Sequence, residues 1–268
     1  MALACINGTV GPAEQATIPA TDEGLLRGDG AFEVLRLYGG RPFALDDHLA
    51  RLERSSANLR LTADVTALRS EVKALLAQAE PIDALLRLVV TRGGRRLALI
   101  EALPQMPDAV RLGYVTYAPT RVLDGIKSLS YAANMLSTRL AQERGFDEAL
   151  LVTPHGRVLE GPTSSFFWLS EGRLRTPPLS EHILGSITRA RLVNLMDVSE
   201  EPCTTDDAAG ADEAFLASTV REVLGVSAIE GVDLPAPGPV TAEAARRLRE
   251  QIEQELSPRA VEDAREPA

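Results

Sequence analysis

Lysine is scarce in this chain of 268 residues. Lys73 and Lys127 are the only two, although lysine and arginine together number 28, so nearly every cation is an arginine. A guanidinium stays protonated, whereas a desolvated lysine can lose its proton and form a Schiff base. Lys73 lies off the apolar stripe of a predicted helix and is interpreted as a surface charge. Lys127 is therefore a candidate for chemistry that needs an amine. The alternative is that Lys127 has no special role and was retained by chance while the composition shifted from lysine to arginine.

Other shortages exclude whole classes of protein. Cys5 and Cys203 have no CxxC spacing and the three histidines are not at ligand spacing, so neither a disulfide framework nor a metal site is predicted. No apolar run approaches the roughly 20 residues of a membrane span. The net charge of −10 argues against nucleic acid and anionic membranes as partners. Because the N-terminus lacks a basic and apolar leader, a cytoplasmic protein is predicted.

The distribution of helix and strand patterns predicts two α/β units. Residues 1–117 combine amphipathic helical patterns with strand-like runs and are interpreted as a small N-terminal domain. The segment 118–125 is the predicted linker, and 126–256 the predicted larger domain. In that domain Thr241 is expected to cap the last helix. The polar tail, 257–268, is predicted to be disordered.

Several catalytic signatures are excluded by their spacing. The stretch GDGAFE, residues 28–33, begins like a dinucleotide fingerprint but has a glutamate where the third glycine belongs. The stretch GIKS, residues 125–128, lacks the upstream glycine of a phosphate-binding P-loop. No GxSxG elbow of a serine hydrolase is present. None of these enzyme classes is predicted.

Three motifs in the second half match the needs of pyridoxal phosphate. That cofactor requires an imine-forming lysine, an acid at its ring nitrogen and donors around its phosphate. Glu160 stands where a predicted strand breaks at Gly161. The stretch GSITR predicts a helix that begins at 186–188, and amides at a helix N-terminus suit a phosphate. Ser218 and Thr219 end a later strand. Each motif also has a simpler interpretation, as a turn acid, a helix cap or loop hydroxyl groups.

Together with the lysine, these motifs resemble the class IV aminotransferase family of pyridoxal-phosphate enzymes. The resemblance covers nearly the whole chain, in the order GDGAFEVLRLYGGRPFALDDHLARLERSSANL, IKSLSYAANMLSTRLAQERGFDEALLV, VLEGPTSSFFW, LRTPPL, ILGSITR and FLASTVREV. It implies an α/β fold of type IV, with a small N-terminal α/β domain and a larger, β-rich C-terminal α/β domain. It also implies a pyridoxal 5′-phosphate cofactor, an amino donor, a 2-oxo acid acceptor and a homodimer.

The same resemblance implies roles for individual residues. Lys127 would form the Schiff base with the cofactor and carry the transferred proton, and Glu160 would keep the ring nitrogen protonated. Arg51 is similar to the family's phosphate-binding arginine. The other implied cofactor contacts are the amides of Ile187 and Thr188, the hydroxyl groups of Thr188, Ser218 and Thr219, the packing of Leu184 on the ring, and the contact of Tyr131 with the phenolic oxygen.

The implied substrates are a D-amino acid or R-amine and a 2-oxo acid. Alternation along AFEVLRL places Phe32 and Val34 on one strand face, where relatives line the substrate pocket. D-amino-acid transaminases of the family follow VTRG with an Arg-x-His carboxylate trap. Here VTRGGRRLALI offers Arg95 and Arg96 without the histidine. A bidentate arginine suits an α-carboxylate, so both arginines are candidate substrate-binding residues.

Three alternatives stay open. Aminodeoxychorismate lyase shares the lysine, the acid and the phosphate-binding residues but eliminates pyruvate. Branched-chain L-amino-acid aminotransferases often show Tyr-x-Arg, of which LLRLVV keeps only Arg87. A protein that merely carries the cofactor is the third alternative. It is disfavoured because storage does not need an acid at the ring nitrogen.

Overall fold

The computed structural model describes residues 2–257 and divides them into two compact units. The first unit comprises 2–104, 126–131 and 254–257, and the second comprises Gln105–Gly125 and Ala132–Glu253. The predicted disordered tail lies outside the described residues, apart from its first residue. Within the described part of the chain, no helix combines the length and the apolar character that a bilayer crossing requires.

The first unit contains one antiparallel sheet and three α-helices. Its elements are β1 (Leu3–Ile6), β2 (Thr9–Pro12), α1 (Glu23–Arg27), β3 (Gly30–Tyr38), β4 (Arg41–Pro42), α2 (Leu45–Asn58), α3 (Val65–Leu76), β5 (Ala84–Thr91) and β6 (Arg96–Ala102). The strand order is β2-β1-β6-β5-β3-β4. The helices α2 and α3 pack on one face of this sheet and enclose the core with it.

The helix α3 shows how local sequence produces this packing. Asp64 caps its N-terminus, because the carboxylate accepts a hydrogen bond of 2.8 Å from the Ala67 amide. Leu68, Val72 and Leu75 then lie on one helix face and are completely buried. Burial of each such side chain contributes about 2 kcal/mol to the free energy of unfolding. The predicted apolar stripe is therefore the stripe that contacts the sheet.

The second unit is built on a ten-stranded mixed sheet. Its elements are β7 (Ala109–Thr116), α4 (Ala132–Glu143), β8 (Glu148–Val152), β9 (Arg157–Val158), β10 (Ser165–Ser170), β11 (Arg173–Thr176), α5 (Ile187–Leu195), β12 (Val198–Glu200), β13 (Cys203–Thr204), α6 (Thr205–Ala209), β14 (Glu213–Ser218), β15 (Glu222–Ile229), β16 (Val232–Asp233) and α7 (Pro239–Glu255). The strand order is β12-β11-β10-β14-β15-β7-β8-β9-β13, with β16 on β15.

Both faces of the ten-stranded sheet carry buried aromatic side chains. Phe166 stacks on Trp168 with ring centroids 5.9 Å apart, and Phe167 stacks on Phe215 at 4.8 Å. Consecutive residues of β10 point to opposite faces, so the run FFW fills two layers at once. The unit built on this sheet matches the larger, β-rich α/β domain that the family resemblance implies.

The boundary between the units differs from the predicted one at residue 117. The strand β7 pairs in parallel with both β15 and β8, so it belongs to the second unit's sheet. Residues 126–131, predicted to open the second domain, lie in the first unit. The pattern VRLGYVTY identifies a strand but not its partners, because parallel partners are distant in sequence.

The prediction that Thr241 caps the last helix is wrong. The helix α7 begins two residues earlier, at Pro239. The carboxylate of Glu213, at the start of β14, accepts hydrogen bonds from the amides of Val240 (3.2 Å) and Thr241 (3.0 Å). The Thr241 hydroxyl donates to the same carboxylate at 3.1 Å. A residue from another element therefore caps the helix, which no local pattern could indicate.

Candidate active site

The backbone of Lys127 is fixed to the N-terminal part of β3, on the edge that β4 does not cover. The Phe32 amide donates to the Lys127 carbonyl at 3.1 Å, and the Leu129 amide donates to the Gly30 carbonyl at 2.9 Å. On the other side, the Lys127 amide donates to Ser55 Oγ of α2 at 3.2 Å. Residues 127–129 pair with β3, and the next helix, α4, begins only at Ala132. These contacts leave the lysine backbone little freedom.

The lysine side chain lies against two aromatic rings. Nζ is 4.5 Å from the ring centroid of Phe32 and 5.5 Å from that of Tyr131. The two rings meet edge to face, with centroids 5.1 Å apart. Aromatic faces attract an ammonium group and also exclude water on that side. The structure thus brings three predicted site residues together: Lys127, Phe32 and Tyr131.

A buried charged cluster lies on the helix-covered face of the same sheet. Glu33 of β3 accepts hydrogen bonds from Arg51 Nε (2.7 Å) and Nη2 (2.6 Å) of α2, and its Oε2 lies 2.8 Å from His48 Nδ1. The three side chains are at most 8% exposed. Burial alone would raise the pKa of Glu33, but hydrogen bonds from Arg51 and His48 lower this pKa to about 2. Glu33 therefore stays ionised and orients the guanidinium.

Sequence reasoning selected Arg51 but missed Glu33 and His48. A signal was present, because alternation along β3 places Glu33 between Ala31 and Leu35 on the core-facing side. A carboxylate at a core position requires a charged or hydrogen-bonding partner. The cluster therefore explains why a glutamate stands where a dinucleotide fingerprint would have glycine.

Replacing His48 by asparagine is expected to flatten the pH dependence of stability below pH ~6.5. Burial lowers the pKa of His48, despite the opposing effect of Glu33. The unfolded chain therefore binds a proton at a higher pH than the folded chain, and the stability that His48 contributes is lost as the pH falls below its unfolded pKa. One such proton changes the free energy of unfolding by up to about 1.4 kcal/mol per pH unit.

Urea unfolding at several pH values between 7.5 and 5 measures this effect, in a range set by the ordinary histidine pKa of about 6.5. The exposed His155 supplies the control, and His155→Asn should keep the wild-type pH dependence. Equal slopes for wild type and His48→Asn would contradict the assignment of a neutral, buried imidazole.

Glu160 of the second unit is held by backbone contacts on both sides. Its carbonyl accepts a hydrogen bond of 2.9 Å from the Leu151 amide, and its Oε1 accepts one of 3.0 Å from the Leu184 amide. Tyr117 is a neighbour: burial, and to a smaller extent the charge of Glu160, raises the pKa of its phenol. Glu160 and Leu184, both predicted site residues, are thus in direct contact.

The helix α5 presents its N-terminus together with two hydroxyl groups. Ser186 caps the helix by accepting from the Arg189 amide at 3.2 Å. The amides of Ile187 and Thr188 lie in the first turn and have no acceptor within the helix. Thr188 Oγ1 is 3.4 Å from Thr219 Oγ1, in the loop after β14. Helix amides with adjacent hydroxyl groups are typical of phosphate sites.

The donor set of the second unit fits a phosphorylated pyridine. The amides and hydroxyl groups at the start of α5 suit a phosphate, and the fixed carboxylate of Glu160 suits a protonated ring nitrogen. Ser218, buried at the end of β14, accepts from the Arg221 amide at 3.2 Å and keeps its own hydroxyl proton for donation. The first unit, taken by itself, offers in Lys127 an amine of the kind that an imine requires.

The two arginines predicted to bind substrate are engaged with carboxylates. Arg96 makes hydrogen bonds to both oxygens of Glu71 on α3, at 2.7 to 3.1 Å. Its pairing with Val90 places it on the sheet face opposite to Phe32. Arg95 Nε donates to Asp22 at 2.9 Å. Local sequence could not reveal these partners.

One arginine that was not assigned to the site shares the face of Phe32. Phe32 and Val34 are on one side of β3, as predicted, and Val34 pairs directly with Arg87 of β5. The Arg87 guanidinium lies 5.8 Å from the Phe32 ring centroid, and its Nε donates to Glu101 at 2.8 Å. Arg87 and Lys127 therefore contact the same aromatic ring.

Comparison with known proteins identifies the family. Residues 30–229 match the description "Amino-transferase class IV". The chain is 34% identical to the putative branched-chain-amino-acid aminotransferase of Methanocaldococcus jannaschii over 84% of this chain and 87% of that protein. It is 30% identical to the D-alanine aminotransferase of Bacillus licheniformis over 92% and 95%. The fold IV-transaminase structure from Curtobacterium pusillum superposes with a TM-score of 0.85 and 26% identity over 95% of this chain and 99% of that one. The chain therefore belongs to the class IV aminotransferases, which are pyridoxal-phosphate-dependent enzymes acting on an amino donor and a 2-oxo acid.

Proposed function

We propose that the protein is a transaminase that moves an amino group from a D-amino acid, or an R-amine, to a 2-oxo acid by means of a Schiff base at Lys127. The observation that carries the proposal is the setting of Lys127, whose backbone is hydrogen-bonded to β3 and α2 while its amine lies on Phe32 and Tyr131. An arginine in this position could not lose its proton. The D-alanine aminotransferase relative supports the donor class, since it matches 92% of the chain.

Each side chain has a separate task in this proposal. Pyridoxal phosphate, when bound, supplies an aldehyde that condenses with amines and a ring that accepts an electron pair. Lys127 would move the proton between the substrate Cα and the C4′ atom of the cofactor. Glu160, held by the Leu184 amide, keeps a proton on the ring nitrogen.

The phosphate is held by a further group of residues in the proposal. The first-turn amides of α5 and the hydroxyl groups of Thr188, Thr219 and Ser218 donate to its oxygens. Arg51, oriented by Glu33, contributes a fixed positive charge. The homodimer that the resemblance implies and the cytoplasmic location predicted from the sequence belong to the same proposal, and light scattering of the purified chain measures the oligomeric state.

A branched-chain L-amino-acid aminotransferase is the second candidate, and one observation favours it. Arg87 lies on the same sheet face as Phe32 and beside the same ring as Lys127, whereas Arg96 lies on the opposite face. Arg87 also matches the arginine of the Tyr-x-Arg pattern that branched-chain enzymes of the family often show. The relative from Methanocaldococcus jannaschii supports this candidate as well.

A donor screen without an acceptor decides between the candidates. The cofactor-loaded protein is mixed in turn with D-alanine, R-phenylethylamine and L-leucine, and the loss of the visible absorbance of the bound cofactor is followed. Release of pyruvate from aminodeoxychorismate is measured in the same screen. The proposal predicts rapid loss with D-alanine or the R-amine and a rate at least about tenfold lower with L-leucine.

Two outcomes of this screen would contradict the proposal. Rapid loss with L-leucine alone would establish the branched-chain candidate. Release of pyruvate from aminodeoxychorismate, with slow reaction of all three donors, would establish the lyase. The Lys127→Ala variant, carried through the same screen, measures the background rate.

A further inference from the structure

The loop that carries Thr219 is clamped at its C-terminal end. Ser218 of β14 pairs with Glu222 of β15, so residues 219–221 form a three-residue hairpin loop. Glu222 has a φ of 57°, in the left-handed region that is costly for residues other than glycine. Its carboxylate forms an ion pair with Arg249 of α7, at 2.7 Å. The loop conformation is therefore maintained by contacts outside the loop.

A second ion pair joins the same loop to a buried residue of the protein interior. Arg221 Nη1 donates to Glu148 Oε2, at the start of β8. The Glu148 side chain is only 5% exposed and that of Arg221 23%. Burial raises the pKa of Glu148, and the charge of Arg221 opposes this effect. Removing either partner would leave the other without its counter-charge at a position that water hardly reaches.

Glu148 also lies against the turn that follows Glu160. A Cβ added to Gly161 would be 3.3 Å from Glu148 Oε1 and 2.5 Å from Ser164 Oγ, so the carboxylate packs against the 161–164 turn, and the serine hydroxyl leaves no room for a side chain at Gly161. The Gly161 amide donates to the Ser164 carbonyl at 2.8 Å and closes this turn. Glu148 thus contacts one turn directly and holds a second loop through Arg221.

These two segments carry the groups assigned to opposite ends of the cofactor. Glu160 precedes the 161–164 turn and is assigned to the ring nitrogen. Ser218 and Thr219 open the clamped loop and are assigned to the phosphate. A rigid ligand with polar groups at both ends binds tightly only if the protein groups have the matching separation.

We propose that the ion pair of Glu148 and Arg221 sets the separation between the Glu160 carboxylate and the hydroxyl groups of Ser218 and Thr219. Both residues of the pair are positioning residues, since they act through the turns and not on the cofactor itself. The inference rests on the proposed roles of Glu160, Ser218 and Thr219.

Comparison of pyridoxal phosphate with pyridoxal, which lacks the phosphate, tests the pair. Apo-protein is titrated with each compound, and the ratio of the two dissociation constants measures how well both ends are engaged together. We expect Arg221→Ala and Glu148→Gln each to lower the preference for pyridoxal phosphate at least about tenfold, the loss that removing an outer supporting partner typically causes. The affinity for pyridoxal should stay within about twofold of wild type.

Arg111→Ala is the matched control. It removes an ion pair with Asp147, the residue next to Glu148, but those side chains are 55% and 44% exposed. This variant should keep the wild-type ratio. If Arg221→Ala and Glu148→Gln lowered the melting temperature but kept the wild-type ratio, the pair would be a structural contact only and the proposal would be overturned. Arg221→Lys, which retains the charge, should give an intermediate ratio and serves if the alanine variant does not fold.

Thr219→Val separates failure of this inference from failure of the assigned site. If Thr219→Val lowers the ratio and Arg221→Ala does not, the phosphate assignment stands and the positioning role of the pair is wrong. If Thr219→Val leaves the ratio at the wild-type value, the assignment of the loop to the phosphate is wrong, and the inference drawn from it fails as well.

Discussion

Replacing Lys127 by alanine is expected to lower the rate of amino transfer at least about 10³-fold, the scale on which a positioned proton-transfer group acts. The lysine is the amine that condenses and the base that moves the Cα proton, and no other described residue on this face offers such a group. The fold should survive, because the hydrogen bonds that pin this segment are made by backbone atoms of Lys127, Phe32 and Leu129. Steady-state rates and the melting temperature measure the two effects.

The second lysine provides the control for this prediction. Lys73 is exposed on α3, and Lys73→Ala should retain the wild-type rate. Lys127→Arg keeps the charge but not the ability to lose a proton, so it should be as inactive as the alanine variant. Activity of Lys127→Arg within tenfold of wild type would contradict the assigned chemistry.

Replacing Glu33 by glutamine is expected to lower the free energy of unfolding by about 3 kcal/mol or more, since it leaves a buried guanidinium without its counter-charge. The pKa of Glu33, lowered to about 2, sets the pH range in which the ion pair stabilises the fold. A folded pKa below the unfolded value means that the stabilisation is complete above pH ~4.5 and is lost as the pH falls toward ~2. Urea unfolding at neutral pH measures the full difference.

Glu101→Gln is the matched control on the same sheet. Glu101 also pairs with an arginine, Arg87, but its side chain is 31% exposed, so its replacement should cost less than about 1 kcal/mol. In the double variant Glu33→Gln with Arg51→Met, part of the loss should be recovered, because no unpaired charge remains. If Glu33→Gln were no more destabilising than Glu101→Gln, the description of a buried ion pair would be wrong.

Composition and short motifs were sufficient to predict the enzyme family and its cofactor. Lys127 could be selected because arginine replaces lysine almost everywhere else, and the β14 end at Ser218 and the α5 start at Ile187 lie where the patterns place them. The fold type followed from the resemblance to a known family that these motifs carry. Such signals are local, and each is expressed within a few consecutive residues.

The partners of those residues could not be predicted, because they come from distant elements. Nothing in GDGAFE indicates that Glu33 meets Arg51, and nothing in VTRGGRR indicates that Arg96 meets Glu71. For the same reason the predicted domain boundary assigned β7 to the first unit, although the strands that pair with β7 belong to the sheet of the second unit. The choice of a carboxylate-binding arginine depends on such contacts, which is why the sequence alone offered both Arg95 and Arg96.

Borohydride trapping tests the assignment of the catalytic lysine most directly. The reagent reduces a carbon–nitrogen double bond to a stable single bond, so the cofactor stays on the residue to which it was attached. After reduction and digestion of the cofactor-loaded protein, mass spectrometry should find the phosphopyridoxyl group on the peptide that contains Lys127 and none on the peptide that contains Lys73. The label on Lys73 or on the terminal amine, or an active protein that takes up no label, would contradict the account.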